Sequence, residues 1–165
     1  MTVFRTRVGK AISVGKHALI ALILFSAPMP VAAATPEAGV KAAIQRLWKA
    51  WETGDVGEAS AVYDPSLIDT DFFGTRRRWP AVRAFLKPNT PDAAVAIDLR
   101  DFQIQLHGRA AVASYLVSDC RTRSGNRSCV RFAATDVLVK RQSGWRIVAA
   151  HQSMIVEKPT AQSGL

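Results

Sequence analysis

Two carboxylates of this 165-residue chain lie in apolar surroundings, where a side chain could do acid–base chemistry. Asp71 is followed directly by Phe72 and Phe73, and Asp136 lies within the run Thr135–Val139. Burial among such residues disfavours the ionised form of a carboxylate, so we expect the pKa of both groups to rise. Proton transfer at neutral pH requires such a shift. Asp71 and Asp136 are therefore candidate catalytic residues.

Each carboxylate also has a structural interpretation. Asp71 can cap the turn before the third predicted helix, or it can pair with the arginines of Arg76–Arg78. Asp136 can lie at a sheet edge or pair with Arg131 or Arg146. In these cases the carboxylates would support the fold rather than a reaction.

His151 is a third candidate catalytic residue, and its role depends on the register of one hairpin. The segment Arg131–Ser153 predicts two long strands joined by a turn at Gln142–Gly144. With a two-residue turn, His151 would share one face with Asp136 and Tyr115 and enter a pocket. With a three-residue turn it would point outward, because a one-residue slip exchanges the two faces of a strand.

The elements that must position these residues follow an α+β order. Apolar residues at helical spacing predict three helices, over 36–53, 56–63 and about 79–86. A short strand at 67–73 and four long strands predict the sheet, the long ones at about 95–106, 110–119, 131–141 and 145–156. The alternation changes phase near Arg100-Asp101, which indicates a bulge. We expect a cone of three N-terminal helices packed on a strongly bent antiparallel sheet of about four long strands.

The N-terminal segment has the three parts of a secretory signal peptide. The first part is basic, with Arg5, Arg7, Lys10 and Lys16, and the second is the short apolar run Ala18–Ala27. The third is the small residues Val31–Ala34, before a cleavage site between Ala34 and Thr35. The apolar run is about half of the roughly 20 residues that a spanning helix needs, so we expect no stable membrane anchor. The prediction is an exported, periplasmic or secreted protein with a signal peptide at 1–34, one domain at 35–157 and a flexible tail at 158–165.

The remaining charge and the cysteines restrict the partners. The formal net charge is +9, but the basic clusters at 76–78 and 121–131 have no interleaved aromatic residues. They are typical of solvated loops, so we expect no nucleic acid partner. Cys120 and Cys129 would lie opposite each other if a hairpin turns at Ser124-Gly125, and export then predicts a disulfide. A metal site needs more ligands than this pair offers, and no histidine lies nearby, so we expect no metal. We also expect no cofactor.

Several short motifs occur in a specific order and spacing: Trp48-x-x-Trp51-x-x-Gly54-Asp55, Ala61-Val62-Tyr63, Phe73-Gly74, Val82–Leu86, Thr135–Val139 and Gly144–Val148. On these motifs the chain resembles the nuclear transport factor 2-like superfamily, nearest its SnoaL-like and ketosteroid-isomerase-like bacterial branch. The ending His151-x-Ser153 also resembles the association domain of calcium/calmodulin-dependent kinases. The resemblance covers nearly all of residues 40–155.

The resemblance implies roles for individual residues. Ketosteroid isomerases use an aspartate base after the second helix and an oxyanion hole that contains a protonated aspartate. Asp71 falls at the position of the base, Asp136 falls at that of the oxyanion aspartate, and the helix-one tyrosine is Leu47 here. We expect these residues to line the pocket: Leu47, Trp51, Tyr63, Phe73, Trp79, Tyr115 and Ala134.

Members of this superfamily differ in function, so three hypotheses follow. The first is an exported domain whose hydrophobic cone pocket binds a small apolar molecule. The second is an isomerase, dehydratase or hydrolase with Asp71 as general base. The third is an oligomerisation or accessory module that binds another protein. Since both strand faces look apolar, we also expect a homodimer through the outer sheet face.

Overall fold

The computed structural model describes residues 35–87 and 93–156. This part of the chain has three helices, α1 Pro36–Thr53, α2 Val56–Val62 and α3 Trp79–Arg83. It also has six strands, β1 Tyr63–Thr70, β2 Arg76–Arg78, β3 Ala93–His107, β4 Ala110–Arg123, β5 Asn126–Arg141 and β6 Gly144–Met154. The helices pack on one curved, unclosed sheet, which confirms the predicted fold class. The predicted signal peptide and tail lie outside the described residues.

Helix α1 has the predicted bounds because both of its ends carry capping residues. The Thr35 hydroxyl accepts a hydrogen bond from the Ala38 amide at 3.2 Å, and Gly54 ends the helix with a φ of 72°. Its buried face carries Val40, Ala43, Ile44, Leu47, Trp48 and Ala50. This face covers one side of the sheet, which we call the inner face, and packs chiefly on β3 and β6.

The strand order of the described sheet is β2-β1-β6-β5-β4-β3, and β1 pairs with β6 in parallel. The four long strands confirm the predicted meander. Strand β1 begins at Tyr63, earlier than predicted, although Asp64-Pro65 is a typical stop signal. The proline is tolerated because the pairing of β1 with β6 is irregular between Tyr63 and Ile68, so no ladder bond is lost there. Arg76–Arg78, predicted as a loop, is a short edge strand on β1.

The bulge predicted in β3 and the hairpin turn predicted at Ser124-Gly125 are both present in the structure. The register of β3 on β4 shifts between Arg100 and Gln103, and Asp101 has a φ of 54°. This confirms the bulge expected from the change of phase. The β4–β5 hairpin turns at Ser124-Gly125, where both φ angles are positive, as a two-residue turn requires.

The β5–β6 hairpin has the register of a two-residue turn, for which His151 is expected to point inward. A bulge in β6 reverses that orientation. Lys140 pairs with Trp145, and Leu138 pairs with Ile147. The pairing then shifts by one residue at Val148, so that Asp136 lies opposite Ala150. Because an extra residue exchanges the faces of the strand, Trp145 and Ile147 point inward before the bulge, and the buried Ala150 points inward after it. His151 therefore lies on the outer face and is exposed.

The predicted disulfide is confirmed, since Cys120 and Cys129 are directly opposite in the β4–β5 ladder and are bonded. The bond lies close to the hairpin turn and closes a short loop. In residues 35–87 and 93–156, no helix is both long and apolar enough to cross a membrane.

Removal of the disulfide in the Cys120→Ser/Cys129→Ser variant should lower the free energy of unfolding by roughly 2–3 kcal/mol, because the closed loop restricts the unfolded chain. Urea denaturation of the unreduced proteins measures the difference. The wild type with a reducing agent should match the variant. Equal midpoints for oxidised wild type and variant would contradict the prediction.

The Val148 bulge predicts that substitutions at two adjacent residues change the free energy of unfolding by very different amounts. His151→Gln should change the free energy of unfolding by less than about 0.5 kcal/mol, because the side chain is exposed. Ala150→Gln should lower it by about 1–3 kcal/mol, because a larger polar group enters a packed interior. Urea denaturation tests both variants, and the reverse order of effects would show that β6 has the other face inward.

Candidate functional site

An aromatic cavity of about 450 Å³ lies between the helices and the inner face of the sheet. Its volume is in the range of small-molecule sites. Side chains from α1, β1, β2, α3, β4, β5, β6 and the turn after β1 line it: Trp48, Trp51, Tyr63, Asp69, Asp71, Phe72, Phe73, Arg77, Val82, Phe85, Asp119, Arg121, Val130, Phe132 and Gln152. The wall is therefore largely aromatic, with a few polar groups.

Register places a row of five residues side by side across the sheet below this cavity. Arg77 pairs with Asp69, Asp69 with Ala150, Ala150 with Asp136, and Asp136 with Ala113. The two carboxylates are therefore separated by one strand, which puts their backbones about 10 Å apart. The residue between them has only a methyl side chain, so no bulky group separates them.

Asp69 is buried, with 6% of its surface exposed, and it makes no hydrogen bond to the described residues. Burial raises the pKa of its carboxyl to about 6, while the nearby Arg77 guanidinium opposes this shift. Arg77 does not neutralise Asp69, because its guanidinium bonds the carboxylate of Asp71. Asp69 is thus a weakly basic carboxylate that faces an apolar cavity and is mostly ionised at pH 7.

Asp136 lies behind the cavity wall in a buried hydrogen-bonded chain. The Trp48 indole donates to the Tyr115 hydroxyl at 2.7 Å, and this hydroxyl donates to the Asp136 carboxylate at 2.7 Å. Burial raises the pKa of Asp136 to about 7, and the Tyr115 hydrogen bond opposes the shift. The predicted rise in the pKa of Asp136 is confirmed. Both Tyr115 and Asp136 lie outside the set of residues that line the cavity.

Tyr63 provides a hydrogen-bond donor in the same cavity as Asp69. Its hydroxyl accepts from the Trp51 indole at 3.2 Å, and its ring packs on Trp79 with centroids 4.9 Å apart. Burial and the charges of Asp136 and Asp69 raise the pKa of Tyr63, so the phenol stays protonated. No described residue accepts this proton, which leaves it for a group in the cavity.

The expected rise in the pKa of Asp71 is wrong. Its carboxylate accepts the Phe73 and Thr75 amides, each at 2.9 Å, and pairs with Arg77. These interactions favour the ionised form and lower the pKa of Asp71. The residue caps the turn at 71–75, which was the structural alternative, although it also lines the cavity.

The structure brings together only part of the expected pocket. Trp51, Tyr63 and Phe73 line the cavity, and Phe73 is 82% exposed at its mouth. The other expected residues lie behind the wall or in the core, namely Leu47, Trp79, Tyr115 and Ala134. His151 does not reach the cavity and bonds the Ser153 hydroxyl at 3.2 Å on the outer face.

Sequence reasoning missed Asp69 and Gln152 as cavity residues. The alternation of buried Leu67 with exposed Ile68 in β1 was a signal for Asp69, because it puts Asp69 on the inner face. Gln152 had no such signal, since the Val148 bulge decides its face. Among residues 35–87 and 93–156, no group of three or more His, Cys, Asp or Glu side chains could hold a metal ion.

Comparison with solved structures shows the same fold in other proteins. An NTF2-like protein of unknown function in nutrient uptake from Rhodospirillum rubrum is 20% identical, over 71% of this chain and 98% of its own, with a TM-score of 0.62. An NTF2-like protein from Cytophaga hutchinsonii is 15% identical, over 74% and 100%, with a TM-score of 0.64. A CaMKII hub from S. rosetta is 24% identical, over 74% and 99%, with a TM-score of 0.65. At these identities the likeness shows the fold alone.

The chain matches a protein family over most of its length. Among functionally curated proteins, none matches this chain. The family model of the SnoaL-like domain matches residues 40–157, which includes every cavity residue. The chain therefore belongs to the SnoaL-like domain family, and its structure has the NTF2-like fold.

Proposed function

We propose that this protein binds a small, largely apolar molecule in the aromatic cavity, with a polar group of that molecule held between Asp69 and Tyr63. The observation that carries the proposal is the buried Asp69 carboxylate, which makes no hydrogen bond to the described residues. This carboxylate is partly desolvated and open to the cavity, so a ligand that donates a hydrogen bond to it would offset the cost of its desolvation. Tyr63 offers a complementary donor in the same cavity.

The aromatic wall supports the apolar part of the ligand. Trp48, Trp51 and Phe132 present ring surface to the cavity, and Phe73 and Phe85 extend it toward solvent. Aromatic side chains bury large apolar areas, so they favour a ligand of similar character. The membership of the SnoaL-like family is consistent with a small-ligand-binding or enzyme-like domain.

A second candidate function is general-base catalysis, and the raised pKa of Asp69 favours it. In this mechanism the Asp69 carboxylate takes a proton from a carbon next to a carbonyl group. The electron pair of the broken C–H bond moves toward the carbonyl oxygen, which accepts a hydrogen bond from the Tyr63 hydroxyl. The proton then returns to another atom of the substrate. This hypothesis transfers the role of base from Asp71 to Asp69.

We also propose export and self-association. The N-terminal pattern supports export, and the Cys120–Cys129 disulfide fits an oxidising compartment. A row of apolar side chains on the outer face, from Ile68 through Val137 to Val112, supports a dimer through that face. The fold likeness to CaMKII hubs is compatible with self-association.

A cavity-filling variant tests ligand binding with the apolar fluorophore N-phenylnaphthylamine. Val130→Trp should weaken its binding by about tenfold or more, because the new ring occupies the cavity. Leu116→Trp is the matched control, since Leu116 is equally exposed on the outer face of the same sheet. Fluorescence titration measures both affinities. Absent binding to the wild type, or equal losses in the two variants, would exclude the cavity as the site.

The base hypothesis predicts a specific pH profile for any turnover found in a screen of carbonyl compounds. Because Asp69 acts as the ionised base, kcat/KM should rise with pH through about 6 and level off above it. Asp69→Asn should lower the rate roughly 10²–10⁴-fold. Asp98→Asn, an exposed carboxylate on β3, should leave it unchanged. An undiminished rate in Asp69→Asn would reject this residue as the base.

A further inference from the structure

A second cleft, of about 860 Å³, opens beside the aromatic cavity. The two share Trp51, Phe85 and Arg121 in their walls, so one leads into the other. The second cleft lies between the end of the α3 segment and the β4–β5 hairpin, and its remaining lining residues are Leu86, Lys87, Ala94, Val95, Thr122, Arg123, Ser124, Asn126, Arg127 and Ser128.

The described residues that line this cleft carry positive charge. Four of them are cations, Lys87, Arg121, Arg123 and Arg127, and none of the described lining residues is acidic. Arg121 pairs with Asp119 at 2.9 Å, whereas the other three cations make no ion pair with the described residues. A concave surface with several cations concentrates anions, and arginine binds carboxylate, phosphate and sulfonate groups with paired hydrogen bonds.

The hairpin that carries the arginines is held in place locally. The Cys120–Cys129 disulfide is one residue pair away from Arg121, and the tight turn at Ser124-Gly125 closes the ladder beyond it. Arg123 pairs with Asn126 within this short end of the ladder. Arg121 and Arg123 lie on one face of this ladder and Arg127 lies on the other. All three belong to a cross-linked segment, which reduces the entropy lost when an anion binds.

The opposite end of the combined space is acidic. Asp69 and Asp71 line the aromatic cavity there, and Asp136 lies behind its wall. Arg77 pairs with Asp71 at that end, so an anionic group placed there would meet chiefly the Asp69 carboxylate. At the arginine end the carboxylate of Asp119 is paired with Arg121, so an anion is favoured there by the remaining arginines. The apolar wall between the two ends includes Trp51 and Phe85.

We propose that the ligand is an anionic amphiphile, whose apolar body lies in the aromatic cavity and whose carboxylate, phosphate or sulfonate group binds in the second cleft at Arg123 and Arg127, the two arginines there without an ion pair to the described residues. This inference rests on the proposed function, because it specifies the class of molecule that the same cavity binds. It also assigns a role to the basic end of the β4–β5 hairpin, which the sequence predicts as a solvated loop.

Two fluorophores that differ by one anionic group test the proposal. Anilinonaphthalene sulfonate carries a sulfonate that N-phenylnaphthylamine lacks, and both become fluorescent when bound. The wild type should bind the sulfonate roughly fivefold more tightly, and Arg123→Gln/Arg127→Gln should remove this preference without changing the affinity for the neutral probe. Arg76→Gln/Arg83→Gln removes the same charge from exposed positions outside both cavities and should keep the preference.

The outcomes separate this proposal from the proposed function. If both probes bind equally well, or if the preference survives in Arg123→Gln/Arg127→Gln, the anionic class is wrong and the apolar site stands. If neither probe binds, the proposed function fails and this inference fails with it. If the arginines instead support cosedimentation with phosphatidylglycerol vesicles, without selective binding of the sulfonate probe, the cleft serves a membrane surface and the proposal is overturned.

Discussion

The β-bulge at Val148 is the constraint on which the interior depends. Without the extra residue, β6 would present His151 to the helices and turn Ala150 and Gln152 outward. With it, a methyl group lies between Asp69 and Asp136, and an amide side chain reaches the cavity. The parallel pairing of β1 with β6 follows the same register, so the bulge also sets which β1 side chains enter the site.

Local hydrogen bonding gives two nearby carboxylates, one in β1 and one in the turn after it, different pKa values. Asp71 is surrounded by backbone amides and an arginine, so its ionised form is stabilised and its pKa falls. Asp69, two residues earlier, has burial without hydrogen bonds, so its pKa rises. One carboxylate stabilises the turn and the other remains basic and accessible from the cavity. A carboxylate whose pKa is raised by desolvation in a cavity is typical of functional sites.

The polar groups of the site belong to two connected spaces. A hydrogen-bonded chain of Trp48, Tyr115 and Asp136 supports the floor, and Asp69 and Tyr63 face the cavity above it. The arginines of the β4–β5 hairpin lie at the other end. The same fold occurs in hub domains and in proteins of unknown function, so the fold does not define an activity. Any specific function therefore depends on these side chains.

Local sequence patterns predict the three helices and the four long strands in their order, but not the edge strand β2. The bounds of α1, the β3 bulge, the two hairpins, the disulfide and the family all follow from local patterns, because capping, turn chemistry and alternation act over a few residues. Local patterns do not determine which carboxylate the fold desolvates or which face of β6 carries His151. Those outcomes depend on pairing between distant strands, and a single bulged residue, which leaves no clear mark in the local pattern, reverses the faces of a strand.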